Sequence, residues 1–339
     1  MMVDASRKAI SDAPPSDADA ARTMRLGTGT SLVILLLLLV APLLVKNFIV
    51  FQLTTVLIYG IAILALNILT GGSGQFSLGQ SAFYALGAYT SAILIEHAGV
   101  NYALTLPISG IVCFAAGFLF GLPALRLSGV YLALATFALA VATPQLLKLG
   151  ALEPWTGGVQ GLVVDKPDAP FGLPVSQDAW LYYFTLAIAV AIYIASVNLL
   201  SSRSGRAMMA IRDNEIAASA MGINVALYKT LTFGVSAAIT GIAGGLGAIA
   251  VQFVAPDSFT IQLAIALFLG MVVGGVGWLP GSLVGAAFIV FIPNVAESIS
   301  KGLSGAVFGV LLLVVIFLVP DGARQVAQAC RSVIGRRKG

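Results

Sequence analysis

Two stretches of this 339-residue chain carry side chains placed to do more than fill a core. The first reads GGSGQFSLGQS over 71–81. Gly71, Gly72 and Gly74 interrupt regular helix, and Ser73, Gln75, Ser77, Gln80 and Ser81 add hydrogen-bonding groups without charge. A surface of that kind suits a polar solute that must pass without being held tightly. It does not suit phosphate binding, because no Gly-Lys-Ser/Thr follows the glycines and no strand precedes them. A second break, Gly274, Gly275 and Gly277 followed by Pro280-Gly281, sits between apolar runs in the same way. Paired glycine-rich breaks in corresponding hydrophobic segments are the best pointer in a sequence to a transport route. A plain turn between two helices is the other open reading.

The second stretch, SSRSGRAMMAIRDNEIAASAMGINVA, covers 201–226. Met208, Ile211, Ala218 and Met221 fall near helical spacing on one side. Ser204 suits an N-cap and Gly222 a C-terminal stop. The pattern predicts one short amphipathic helix over 204–223. Such a helix between two membrane segments can seat in a partner's groove and carry its movement. Arg203, Arg206 and Arg212 would also suit a helix resting on lipid headgroups. Its small apolar face, Ala and Met, favours the partner.

Little else is available for chemistry. His97 is the single histidine, and Cys113 and Cys330 are too isolated for a disulfide framework or a metal site. No catalytic or metal-binding residue is assigned, and no cofactor is expected in the chain.

The elements that hold these stretches are set by composition. Hydrophobic residues make up 59% of the chain and charged residues 9%, against about 25% charged in a soluble domain. The runs 127–147 and 259–296 contain no charge at all. A helix needs about 20 apolar residues to cross the hydrocarbon core. Ten segments meet this pattern: 31–50, 52–70, 80–97, 103–122, 128–149, 179–200, 227–251, 262–276, 282–299 and 304–320. The fold expected is all-α and polytopic, with about ten transmembrane helices. With the N-terminus inside, only Lys46, Lys148, Lys166 and Lys301 of the 18 Lys and Arg residues fall outside. That bias puts both termini in the cytoplasm. It also accounts for the pI near 9.1 without nucleic acid.

Residues 1–30 are polar, with four acids, and are expected to form a disordered cytoplasmic tail. Residues 31–322 form the membrane domain. Within it, 150–178 is an external loop rich in Gly and Pro, and 201–226 is a cytoplasmic loop. Residues 323–339 are a basic cytoplasmic tail. Glu96, Lys148, Glu297 and Lys301 all lie at segment ends, which argues against a proton or sodium relay of the chain's own. With no nucleotide-binding motif, any energy for transport must come from a partner. Small residues four apart, such as Gly117/Gly121, Gly241/Gly245, Gly270/Gly274 and Gly281/Gly285, let helices approach closely.

The run LNILTGGSGQFSLGQSAFYALGAYTSAIL (66–94) resembles the permease subunits of branched-chain amino acid ABC importers, of the LivM type. Similar to the same family are LRLSGVYLALATFAL (125–139) with TGGVQGL (156–162), the stretch 205–248, and GMVVGGVGWLPGSLVGAAF (270–288). The resemblance implies a subunit of the bacterial inner membrane. Its partners would be a LivH-like permease, two cytoplasmic ATPases that hold the ATP and Mg, and an extracytoplasmic solute-binding protein. Related permeases serve urea, amides and other small organic solutes. The resemblance further implies that 205–222 is the coupling helix on an ATPase, with Gly205, Arg206, Arg212, Asp213, Glu215, Ala218, Met221 and Gly222 as contact residues. Many ABC importers carry Glu-Ala-Ala there, with Gly six residues after the Glu; here Gly222 lies seven after Glu215. The translocation path would run past Gly71 to Ser81 and Gly274 to Gly277. A self-contained channel and a non-transporting scaffold are the alternatives from other classes.

Overall fold

The computed structural model describes residues 28–127, 129–168 and 176–299, and the single positions 309, 310, 317, 322 and 323. Apolar runs of this length become helices because, in hydrocarbon, only a helix satisfies every backbone N–H and C=O within its own segment. The long helices are α1 (Thr28–Leu44), α2 (Asn47–Asn67), α3 (Gln80–Ala98), α4 (Tyr102–Ala124) and α5 (Val130–Leu147). After the four-residue α6 (Glu153–Thr156) come α7 (Gln177–Ser201), the short α8 (Arg203–Asp213) and α9 (Glu215–Ala220), then α10 (Val225–Val251), α11 (Ile261–Gly274) and α12 (Gly281–Ile299).

Nine of the ten expected segments coincide with helices; the tenth, 304–320, lies outside the described residues except at three positions. So do nearly all of the two expected tails, although α1 already starts at Thr28. Among the described residues, six helices are long and apolar enough to cross a membrane. Helix α3 is long enough but carries Gln80, Ser81, Ser91, Glu96 and His97, and α12 is apolar over a shorter stretch. In the six, the last of which includes the 3-10 turn Pro256–Phe259 ahead of α11, the charged residues are Asp178, Lys229 and Asp257, each near an end. Each is ion-paired: Lys166 to Asp178 at 2.5 Å, Lys148 to Asp257 at 2.6 Å, and Lys229 to Glu215.

Two helices form the centre. Helix α10 lies along α3 and α4, and α2 lies among α7, α10, α11 and α12. Both are apolar around most of their circumference, the pattern of a helix surrounded by protein. Residues 60–73 are buried without interruption. Close approach in α10 depends on glycine. A methyl group at Gly244 would stand 2.0 Å from the Tyr84 carbonyl oxygen, and one at Gly87 would stand 2.1 Å from that of Gly241. The α11–α12 hairpin closes the same way, with a Cβ at Gly285 only 1.8 Å from the Gly270 oxygen. Helix α5 is held differently, by a single stripe of Leu132, Thr136, Ala140 and Pro144.

Strand β1 (Leu162–Val163) of the 150–178 loop pairs antiparallel with β2 (Phe253–Val254), Leu162 opposite Val254. His97 stacks on Trp155 there, 5.5 Å between ring centres. Elsewhere both glycine-rich breaks meet α8, through Arg212 at Gly71 and Gly71 against Gly277.

Overpacking a buried backbone contact costs about 1–3 kcal/mol or more. Gly244→Leu is therefore expected to lower the thermal midpoint and the yield of folded protein in detergent. Gly150→Ala, where an added methyl meets nothing within 4 Å, leaves both unchanged.

Candidate functional site

Helix α2 does not stop cleanly at the first break. It widens into one π-helical turn, Ile68–Gly72, before the chain becomes irregular. Single π turns inside helices are frequent at functional sites. Here the turn sends the Gly74 amide to the Thr70 oxygen at 3.0 Å and the Gln75 amide to the Leu69 oxygen at 3.3 Å. Gly74 has a φ of 72°, which favours glycine, and is exposed.

The polar residues of 73–81 are mostly engaged within the protein. The Ser73 hydroxyl donates to the Leu69 oxygen at 2.8 Å, and Thr70 donates to the Gln75 oxygen at 3.1 Å. Gln75 Nε2 donates to Ser73 Oγ at 2.9 Å and to the Lys229 oxygen on α10 at 3.2 Å. The Leu78 amide donates to Thr136 Oγ1 on α5 at 2.9 Å, and Ser77 Oγ accepts from the Gly79 amide. Gln80 Nε2 donates to Ser236 Oγ at 3.0 Å, while its Oε1 accepts from the Thr240 hydroxyl at 2.6 Å. Ser236 in turn donates to the Ala65 oxygen at 2.8 Å. Ser81 is buried with no partner for its hydroxyl.

The second break is narrower than expected. Gly274 is the last residue of α11 and Gly281 the first of α12, leaving Gly275 to Pro280 irregular. Gly275 and Gly277 have φ of 100° and 79°. The two breaks meet. Asn67, the last α-helical residue of α2, accepts at Oδ1 from the Gly277 amide at 2.6 Å. Its Nδ2 donates to the Trp278 oxygen at 3.1 Å and the Gly275 oxygen at 3.3 Å. A Cβ on Gly71 would lie 2.6 Å from Gly277 Cα. Gly322 adjoins from another side, where a Cβ would stand 2.7 Å from the Gly275 nitrogen.

The 204–223 stretch is two helices rather than one. Ser202, not Ser204, caps α8, accepting from the Gly205 amide at 3.3 Å. Asn214 leaves helical geometry at φ −161°, and its Oδ1 accepts from the Ala217 amide at 3.0 Å, starting α9. The two helices do different things. Helix α8 buries Gly205, Ala207, Met208, Met209 and Ile211, with a Cβ at Gly205 2.2 Å from the Leu200 oxygen. Helix α9 buries Ala218 but exposes Ile216 at 81%, and Met221 just after it stands at 85%. Gly222, at φ 83°, ends the element. Arg206 and Asp213 are exposed, and Glu215 pairs with Lys229. Arg212, also exposed, pairs with Asp213 at 2.9 Å, and its Nη1 donates to the Gly71 oxygen at 2.8 Å.

The polar junction therefore joins both breaks to α8. Sequence reasoning left out Asn67, Thr136, Ser236 and Thr240; an amide ending a long apolar run just before a Gly-Gly pair was the available signal for Asn67. Nearby, α1, α2, α7 and α12 line an open cleft of about 360 Å³, with residues such as Leu57, Leu64, Ile192, Leu279 and Leu283. Among the described residues its lining is mostly apolar, with Tyr193 and Ser282 as the polar exceptions.

Residues 48–319 match the family described as branched-chain amino acid transport system / permease component. The high-affinity branched-chain amino acid transport system permease protein LivM of Escherichia coli is 36% identical over 270 residues, 73% of this chain. That match spans 63% of the Escherichia coli protein, less than two thirds of its length. The LivM protein of Salmonella typhimurium is 32% identical over 292 residues, covering 79% of this chain and 68% of that protein. A LivH permease protein of the same transport system in Escherichia coli is 29% identical over 150 residues, 42% of this chain and 45% of that one. No solved structure matches the chain.

Leaving a buried donor unmade costs about 1–3 kcal/mol. Thr136→Val, which strips the acceptor from the Leu78 amide, is expected to lower the thermal midpoint in lipid nanodiscs. Thr143→Val has a smaller effect, because that hydroxyl bonds only to Leu139 in its own helix.

Proposed function

The chain belongs to the family of branched-chain amino acid transport permease components, and from that premise we propose that it is the membrane permease subunit of an amino acid importer driven by ATP hydrolysis in partner subunits. The observation that carries the reading is the hydrogen bond from Arg212 to Gly71. It ties a polar helix pair at one end of the bundle to a glycine-rich break deep between spans. A part that receives force and a part that meets solute need a connection of this kind.

In this reading the chain crosses the bacterial inner membrane about ten times, with both termini in the cytoplasm. The strong bias of Lys and Arg to one side supports that orientation. A second, LivH-like permease would complete the path past 71–81 and 274–277. Two ATPases would hold ATP and Mg, and an extracytoplasmic binding protein would deliver the solute and supply most of the selectivity. The chain itself catalyses no reaction. Helix α9 is the contact with an ATPase, through Ile216 and, just after the helix, Met221, which stand exposed, while α8 is packed against the permease. Branched-chain amino acids are the substrates best supported; urea, amides and other small organic solutes are the alternative.

Reconstitution in liposomes with the partner subunits and labelled leucine, isoleucine or valine tests the proposal. Uptake should require ATP, both ATPases and the binding protein. Flux through the chain alone would instead identify a channel. Replacing Ile216 and Met221 together by Glu should lower ATP-dependent uptake about tenfold, about 1.4 kcal/mol of lost coupling contact, at unchanged membrane abundance. Unchanged uptake would remove α9 from the contact.

A further inference from the structure

The end of α2 is gripped from two sides within five residues. On one side Arg212 of α8 holds the Gly71 oxygen. On the other, Asn67 holds the amide of Gly277 and the oxygens of Gly275 and Trp278. The π turn makes the first grip possible. In a continued α-helix the Gly71 oxygen would accept from the Gln75 amide, but that amide bonds to the Leu69 oxygen instead. The Gly71 oxygen is thereby left for the guanidinium.

Asn67 uses both polar atoms of its side chain on the second break and is only 1% exposed. The backbones beneath it are in contact, since a Cβ on Gly71 would also lie 2.6 Å from the Gly277 nitrogen and 2.9 Å from Asn67 Oδ1. Buried groups so fully engaged do not separate cheaply, because each would lose its partner out of reach of water. The part-buried Arg212–Gly71 bond links α8 to this cluster.

We propose that Asn67 is a positioning residue that pins the two glycine-rich breaks together, so that α8, the 68–72 turn and the 275–278 loop move as one body when the transporter turns over. The inference rests on the transport reading above and adds to it a path of motion. Arg212 brings movement to Gly71, and Asn67 passes it to the loop between α11 and α12. Both breaks are then displaced in one step, although they are 200 residues apart in the chain.

The test uses the full complex with its ATPases and binding protein in liposomes, reading ATP hydrolysis and uptake in the same vesicles. Asn67→Ala is expected to keep hydrolysis stimulated by loaded binding protein within twofold of the wild type while uptake falls at least tenfold. Arg212→Ala should behave alike, and Arg212→Lys, which retains a donor, should recover much of the uptake. Proportional loss of both activities, or loss of neither, would overturn the proposal. A second measurement decides if Asn67→Ala fails to assemble. Spin labels at Phe76→Cys and Val276→Cys, both exposed positions on the two breaks, should keep the same separation in resting and vanadate-trapped complexes. A change in that separation overturns the single body, even in a complex that transports normally. Absence of ATP-dependent uptake by the wild-type complex would instead overturn the transport reading.

Discussion

The constraint from which the rest follows is that hydrocarbon supplies no hydrogen bonds. A chain that leaves helical geometry among apolar spans must have its freed amides and carbonyls met by other parts of the protein. Around 68–81 and 275–280 they are met by Thr70, Ser73, Thr136, Asn67 and Arg212, and Gln75 ties the first break to α10. The breaks are therefore held by α5, α8 and α10 and by each other. Irregular backbone here is ordered backbone.

That constraint also explains the composition of α10. A helix that must serve as a wall for α2, α3 and α4 cannot carry bulky side chains on every face. Gly234, Gly241, Gly244, Gly245 and Gly247 bring it close to its neighbours. Ser236 and Thr240 spend their hydroxyls on Gln80 and the Ala65 carbonyl. Without bulky side chains to interlock, helices in a bilayer associate through such close contacts.

Much of this was legible in the sequence. Long uncharged runs located the helices, because the length needed to cross a bilayer leaves a coarse signal that survives single substitutions. The glycine clusters marked both breaks, and small residues four apart marked contacts that the structure contains, such as Gly270 and Gly274 against Gly285 and Gly281. Three features were not legible. One helix expected over 204–223 is two, because Asn214 can cap as well as continue a helix and hydrophobic periodicity does not register the difference. The central place of α3 in the bundle was not legible, since its Gln80 is taken up by Ser236 and Thr240 of α10. The meeting of Asn67 with Gly277 is a contact across 210 residues, and no local pattern encodes that. Polar residues at 73–81 look the same in a sequence whether they face a solute or a neighbouring helix.

The charges of the six apolar spans, Asp178, Lys229 and Asp257, are all terminal and paired. A unit charge carried across the whole membrane exchanges about 2.3 kcal/mol with each 100 mV of potential. Groups that stay at the rims, neutralised by Lys166, Glu215 and Lys148, traverse almost none of that field. Among the described residues the transmembrane voltage thus has no handle in the interior of these spans.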